Sequence, residues 1–224
     1  MEDKILITID LSVASELLIE LLIEDAVDPS VFEEIAKVNT NRPQILKLLL
    51  ENPATPDELR RQISSALSVP VKQKTESGRE HKPAEERTQN IFQKLQKLNV
   101  SEKILLALRG GKEIRTLLLR DPNKDVSLSV LENPKITETE LEMIAKSRSI
   151  SDEALRRITK KREWMKNYGI MHALVTNPKT PPGLALQLVG GLRTRDLALL
   201  AKNRNVSEGL RGTAKKLVLS RKGI

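Results

Sequence analysis

The chain of 224 residues contains no cysteine. That excludes zinc fingers, cysteine-ligated iron–sulfur clusters, thiol nucleophiles and disulfide scaffolds together. Only two histidines occur, His81 and His172, which leaves almost no material for a histidine-based metal site or catalytic triad. Aromatic rings are equally scarce, limited to Phe32, Phe92, Trp164 and Tyr168. A membrane span needs about 20 mostly apolar residues, and the apolar-rich stretch from Ile5 to Ile23 is interrupted by Asp10, Glu16 and Glu20. The opening Met1-Glu2-Asp3-Lys4 lacks the basic start of a secretory signal. The expectation is a soluble, cytoplasmic protein that does not engage a membrane.

Charge, by contrast, is plentiful and unevenly placed. The net charge of +8 conceals a first 60 residues with 5 Lys/Arg against 13 Asp/Glu, and a remainder with 33 against 17. Residues 161–224 alone carry 13 against 3. Such asymmetry implies a polyanionic partner for the basic part, or pairing between the acidic and basic parts. Between them, residues 69–89 hold few aliphatic side chains and show no helical apolar period. A segment of that composition buries too little surface to offset its ordering entropy. The reading is an acidic helical unit over 1–67, a flexible linker over 68–90 and a basic helical domain over 91–224. Within the first unit, Ile5–Ile9 is a candidate strand, and Leu11 to Ile23 fits a helix with Leu17, Leu18, Leu21 and Leu22 on one face. A unit of that size is marginal alone, so it is expected to dock or self-associate.

Internal recurrence is the most informative feature. A short apolar helix, an Asn-Pro pair and a second helix recur at Leu46–Pro56, Leu128–Thr137 and Ala173–Pro181. Weaker copies centre on Asp121-Pro122, Ser147 and Asn203. The junctions at 121, 133, 147, 177 and 203 stand 12, 14, 30 and 26 residues apart, which suits helices of two to three turns. Asn tolerates the left-handed conformation that ends a helix, and the following Pro cannot continue one. Thr55, Thr137, Ser151 and Thr180 then stand as N-caps, with capping boxes at Thr55…Glu58 and Thr137…Glu140. Pro56 and Pro181 take the first helical position. Hydrophobic staples pair Ile136 with Leu141, Ile150 with Leu155 and Val100 with Leu105. The pairs Gly110-Gly111 and Gly190-Gly191 read as helix ends. No strand or phosphate-loop spacing surrounds Gly110-Gly111-Lys112-Glu113, so nucleotide binding is not expected there.

Helical hairpins that each expose one apolar face must stack to bury it. The fold class is therefore all-α: an α-solenoid of short stacked helical hairpins with a small N-terminal helical unit. Val175-Thr176-Asn177-Pro178-Lys179-Thr180-Pro181 and Leu50-Glu51-Asn52-Pro53-Ala54-Thr55-Pro56 resemble the bacterial leucine-rich repeat variant and HEAT-like helical repeats. That resemblance implies a binding or scaffolding surface without chemistry. The cysteine-ligated cluster of some members has no counterpart here. Size and basic charge are also similar to HEAT-like DNA glycosylases, but their catalytic aromatic-and-aspartate arrangement matches no positions in this chain.

No constellation calls for catalysis, a metal or a cofactor, and the expectation is a non-enzymatic protein. His172 reads as a structural histidine, and Glu138, Glu140 and Glu142 as acids favoured near a helix start. Two surfaces are candidates for binding. Trp164 and Tyr168, four residues apart beside Lys160, Lys161, Arg162 and Lys166, form either a packing pair or a stacking platform for nucleobases. The turns of a solenoid align along one edge, and here they carry Arg120, Lys124, Lys135, Lys146, Arg148, Lys179, Lys202 and Arg204. Arg193, Arg195, Arg211, Lys215 and Lys216 extend this candidate basic ridge; favourable capping of helix C-termini accounts for Arg120, Lys146 and Lys202 equally well. The partner expected is another protein, or self-association through the acidic N-terminal unit. The alternative is nucleic acid on the ridge.

Overall fold

The asparagines at the junctions end their helices in extended, not left-handed, backbone. Asn52, Asn133 and Asn177 have φ/ψ of −75/121°, −65/124° and −78/121°, the conformation a following proline imposes. Their value lies in the side chain. The Asn177 carboxamide donates to the carbonyls of Ala145 (2.7 Å) and Ser147 (3.0 Å), about thirty residues upstream, and accepts from the Lys179 N–H at 2.9 Å. Asn133 donates to Ala107 and Gly110 in the same way, and Asn52 donates to Ile23 while accepting from the Ala54 N–H. Asn39, which no proline follows, donates to Leu11 and Ile35. A carboxamide therefore satisfies carbonyls that a neighbouring segment leaves unpaired. Where the junction has Asp121 instead, an acceptor needs a donor, and the Lys103 ammonium sits 2.9 Å away.

The computed structural model describes residues 10–24, 26, 28–68 and 84–223. The candidate strand at Ile5–Ile9 and most of the expected linker, including His81, lie outside them. All regular elements among the described residues are helical. The chain divides into two compact units, Met1–Pro134 and Lys135–Ile224, so the expected boundaries at 67/68 and 90/91 do not coincide with the division. Residues 84–90 of the expected linker form the first half of a helix.

The first unit holds α1 (Glu16–Glu24), α2 (Pro29–Val38), α3 (Pro43–Glu51), α4 (Asp57–Leu67), α5 (Ala84–Gln96), α6 (Val100–Arg109), α7 (Lys112–Leu118) and α8 (Lys124–Ser129), with a 3-10 turn at Val130–Glu132. α1 starts at Glu16, not Leu11, because the Ser15 hydroxyl accepts the Leu18 N–H and stops the helix there. It buries Leu18, Ile19, Leu21, Leu22 and Ile23, a little over half its circumference, and sets Glu16, Glu20 and Glu24 on the remaining stripe. So wide an apolar face needs cover on more than one side, and α1 packs on α2, α3, α5 and α6. Ion pairs join the same segments: Lys94 reaches Glu20 and Glu24, each at 3.1 Å, and Arg109 reaches Glu34 at 2.9 Å. The acidic segment is thus part of a larger unit.

The second unit holds α9 (Glu138–Lys146), α10 (Asp152–Lys160), α11 (Arg162–Met165), α12 (Tyr168–Thr176), α13 (Pro182–Leu188), α14 (Thr194–Leu200) and α15 (Glu208–Lys222), with a 3-10 turn at Val189–Gly191. Short helices packed against neighbouring helices, as in an α-solenoid, make each unit. One core joins Val175, Ala185, Val189, Leu192, Leu197, Leu200, Val206, Leu210 and Ala214.

The capping expectations divide. Thr137 and Glu140 form a full capping box, and Ser151 caps α10. Thr55 and Thr180 do not cap: Pro56 and Pro181 occupy the cap positions, and both threonines turn inward. The Thr55 hydroxyl donates to the Leu49 carbonyl, whereas Glu58 pairs with Arg61. At α6 the cap is Asn99, with its own box to Glu102, so Val100 is the first helical residue and an exposed one. That register removes the staple expected between Val100 and Leu105. Gly110 ends α6 with φ −66°, and its role is space: a Cβ there would stand 2.5 Å from the Leu106 carbonyl oxygen. Its own carbonyl accepts from both Asn133 and the buried Arg115.

Candidate interaction surface

The structural division is also a charge division. Residues 1–134 carry 19 Lys/Arg against 22 Asp/Glu, while residues 135–224 carry 19 against 8, a net +11. Of the ridge residues, Arg120 and Lys124 belong to the first unit, both exposed, and the other eleven to the second.

Within the second unit the ridge residues stand at several places: a cluster of turns, the two ends of α14, and α15. The Asn177 carboxamide holds the turn after α9 beside the turn after α12, which brings Lys146 and Arg148 near Lys179. Lys146 is paired with Glu142 at 2.6 Å, and all three cations are exposed. Lys202 and Arg204 follow the C-terminal end of α14, whereas Arg193 and Arg195 stand at its start. Seven helical residues span about 10 Å, so these two pairs occupy opposite ends of α14. Lys135 is exposed at the start of the unit.

The aromatic pair does not share a helix: Trp164 is on α11 and Tyr168 opens α12. Each ring is engaged separately. The Lys161 ammonium lies 4.3 Å from the Trp164 ring centroid, a cation–π contact. Tyr168 donates its hydroxyl to Asp196 in a short hydrogen bond and accepts the Arg193 N–H at 3.1 Å. The Arg193 guanidinium stands 4.5 Å from its ring, and His172 stacks against it at 6.1 Å between centroids. Burial and the Asp196 carboxylate hold the Tyr168 phenol above its ordinary pKa. Tyr168 thus ties α12 to α14 and offers no open platform for a base.

α15 is the main cationic element. It joins Arg211, Lys215, Lys216, Arg221 and Lys222 to a single acid, Glu208, in its first turn. Leu210 and Ala214 face the core, with Leu217 and Val218 packed partly against it. Arg221 bends back to donate to the carbonyls of Leu192 and Gly190, each at 2.6 Å. That contact anchors the C-terminal end of the helix. Reading the sequence singled out neither Arg221 nor Lys222; their spacing from Arg211 and Lys215 was the available signal.

Other titratable groups have structural duties. Glu140 and Glu102 complete capping boxes, Asp121 meets Lys103, and Asp196 meets Tyr168. Among the described residues no group of three or more His, Asp or Glu stands where it could hold a metal ion, and no helix is long and apolar enough to cross a membrane. Fold and surface together define a class: an all-helical chain of short packed helices, one of whose two units is strongly basic. Comparison with protein-family models, curated proteins and solved structures returns no match.

Proposed function

We propose that this protein is a non-enzymatic interaction scaffold whose basic unit, 135–224, receives an acidic partner protein. The observation that carries the reading is the placement of +11 on one compact unit with its cations mostly exposed and few acids to neutralise them. Like charge on one compact body opposes folding through self-repulsion, and an oppositely charged partner relieves it. Asp196 and Tyr168 tie α12 to α14 and Glu140 completes a cap, so the mostly exposed cations, which outnumber the acids 19 to 8, are the unit's distinctive surface chemistry. The expectation of a soluble cytoplasmic protein, built on repeats of the HEAT-like or leucine-rich-variant kind, belongs to the same proposal.

Nucleic-acid binding is the second reading, favoured by the same charge. Against it stands the Tyr168 ring, packed between Arg193 and His172, since single strands gain affinity by stacking on aromatic rings. The test is fluorescence anisotropy of labelled single- and double-stranded oligonucleotides with the full chain over a salt series. No binding near physiological salt is expected. Binding whose log affinity falls linearly with log salt, by about 0.9 per phosphate contact on duplex DNA, would establish the second reading and overturn the first.

A further inference from the structure

The outer face of α15 is a cationic surface of the second unit with an exposed leucine set into it, and it carries more cations than the face around the exposed Leu199 of α14. At about 3.6 residues per turn, Arg211, Gly212, Lys215, Leu219 and Lys222 fall on one side of the helix, with Arg211 half-buried at its border and Lys215, Leu219 and Lys222 turned away from the core residue Leu210. Leu219 is 42% exposed although its neighbours Leu217 and Val218 turn inward. Gly212 lies between the cations with nothing within 4 Å of the place a Cβ would occupy. The cations stand at i, i+4 and i+11, over a length of about 16 Å. The buried face and the Arg221 clamp fix the helix, so the outer face is presented rigidly.

We propose that this face is a docking site for an acidic amphipathic α-helix of a partner protein. The inference rests on the scaffold reading and names its surface and partner class. Charge complementarity argues for the occupant: three cations on the face, with Lys216 on its flank, call for carboxylates. Leu219 adds what a phosphate backbone does not use, an apolar contact. An apolar residue flanked by charges at helical spacing is the pattern by which one helix recognises another. Bases are disfavoured as occupants because the face carries no aromatic ring to stack on.

The test uses the full chain and three labelled probes: a glutamate-rich helical peptide with leucines at heptad spacing, polyglutamate, and an oligothymidylate. The heptad peptide should bind most tightly. The double variant Lys215→Glu/Lys222→Glu should weaken it by about tenfold or more, since each reversal turns an attraction into a repulsion. Lys179→Glu/Arg204→Glu makes the same change of net charge on the turn edge and should matter far less. Leu219→Ser should weaken the heptad peptide and leave polyglutamate unchanged. All of these side chains are exposed, so circular dichroism should show intact folding. Equal loss from both double variants, or an unaffected Leu219→Ser, would overturn the docking face while leaving the scaffold reading standing. Preference for the oligothymidylate, or no binding of either acidic probe, would overturn both.

Discussion

Replacing Asn177 tests whether the junction asparagines hold neighbouring helices together. The side chain, 5% exposed, makes three hydrogen bonds: to the Ala145 and Ser147 carbonyls and from the Lys179 N–H. Asn177→Ala removes all three. Ala145, in the last turn of α9, has no exposed surface, so orphaning its carbonyl costs about 1–3 kcal/mol. Ser147 and Lys179 lie nearer solvent and lose about 0.5–1 kcal/mol each. The expected destabilisation is about 3 kcal/mol. Asn177→Asp sharpens the point because it keeps the acceptor and loses the donors. At neutral pH it sets a carboxylate against two carbonyl oxygens, so it should be worse than alanine. Those oxygens raise the carboxyl's pKa in the folded state. Its stabilising form is the protonated one, present at low pH and lost as pH rises through the raised value. The aspartate variant should therefore recover relative to the alanine variant as pH falls towards about 4. Urea unfolding followed by Trp164 fluorescence reports the same unit, since this is the chain's sole tryptophan. The exposed Asn205 is the control, and Asn205→Ala should stay within about 0.5 kcal/mol. A loss under about 0.5 kcal/mol for Asn177→Ala, or an aspartate variant as stable as the parent at pH 7, would refute the staple.

Three further outcomes are expected. Burial pulls the Lys94 ammonium down, but Glu24 and Glu20 outweigh it and hold its pKa above the ordinary 10.5; its stabilisation is present at neutral pH and lost as pH rises through the raised value, so Lys94→Met should flatten the alkaline limb of a stability profile. Tyr168 is the only tyrosine, so phenolate absorbance should titrate above pH 10.0, and Asp196→Asn should lower the midpoint. Gly110→Ala should destabilise through its 2.5 Å approach to the Leu106 carbonyl, whereas Gly212→Ala, with open space and a helical position, should stabilise by up to about 1 kcal/mol in thermal melts.

Local chemistry was the legible part of the fold. Thr137 with Glu140, and Ser151, follow rules that span three residues, and the structure has both. The Asn-Pro junctions were legible as helix ends but not in their cause, because the carbonyls that Asn177 serves are about thirty residues distant in sequence. Asn39 does the same work without a proline and so gave no sign. At Thr55-Pro56 and Thr180-Pro181 the competing preference won: proline took the cap position, and threonine turned inward. Composition at 68–90 did not tell that α1 packs on α5 and α6, which follow that segment in the chain.

The surface was legible as charge and illegible as geometry. Lysine and arginine counts do not tell that Arg193 and Lys202 sit at opposite ends of a two-turn helix. Nor do they tell that Arg193 covers a tyrosine, or that Arg221 is spent on two carbonyls. Cations so engaged are part of the scaffold, and removing them from the ridge leaves a smaller set with no role inside the fold. Lys215 and Lys222 belong to that set, and they flank Leu219 on a helix whose inner face and C-terminal end are both fixed. Exposed leucine and unshared charge each carry a small penalty in an isolated chain, from unburied apolar surface and from self-repulsion. A partner helix bearing carboxylates around an apolar stripe removes both penalties at once, which favours α15 over the turn edge as the docking face.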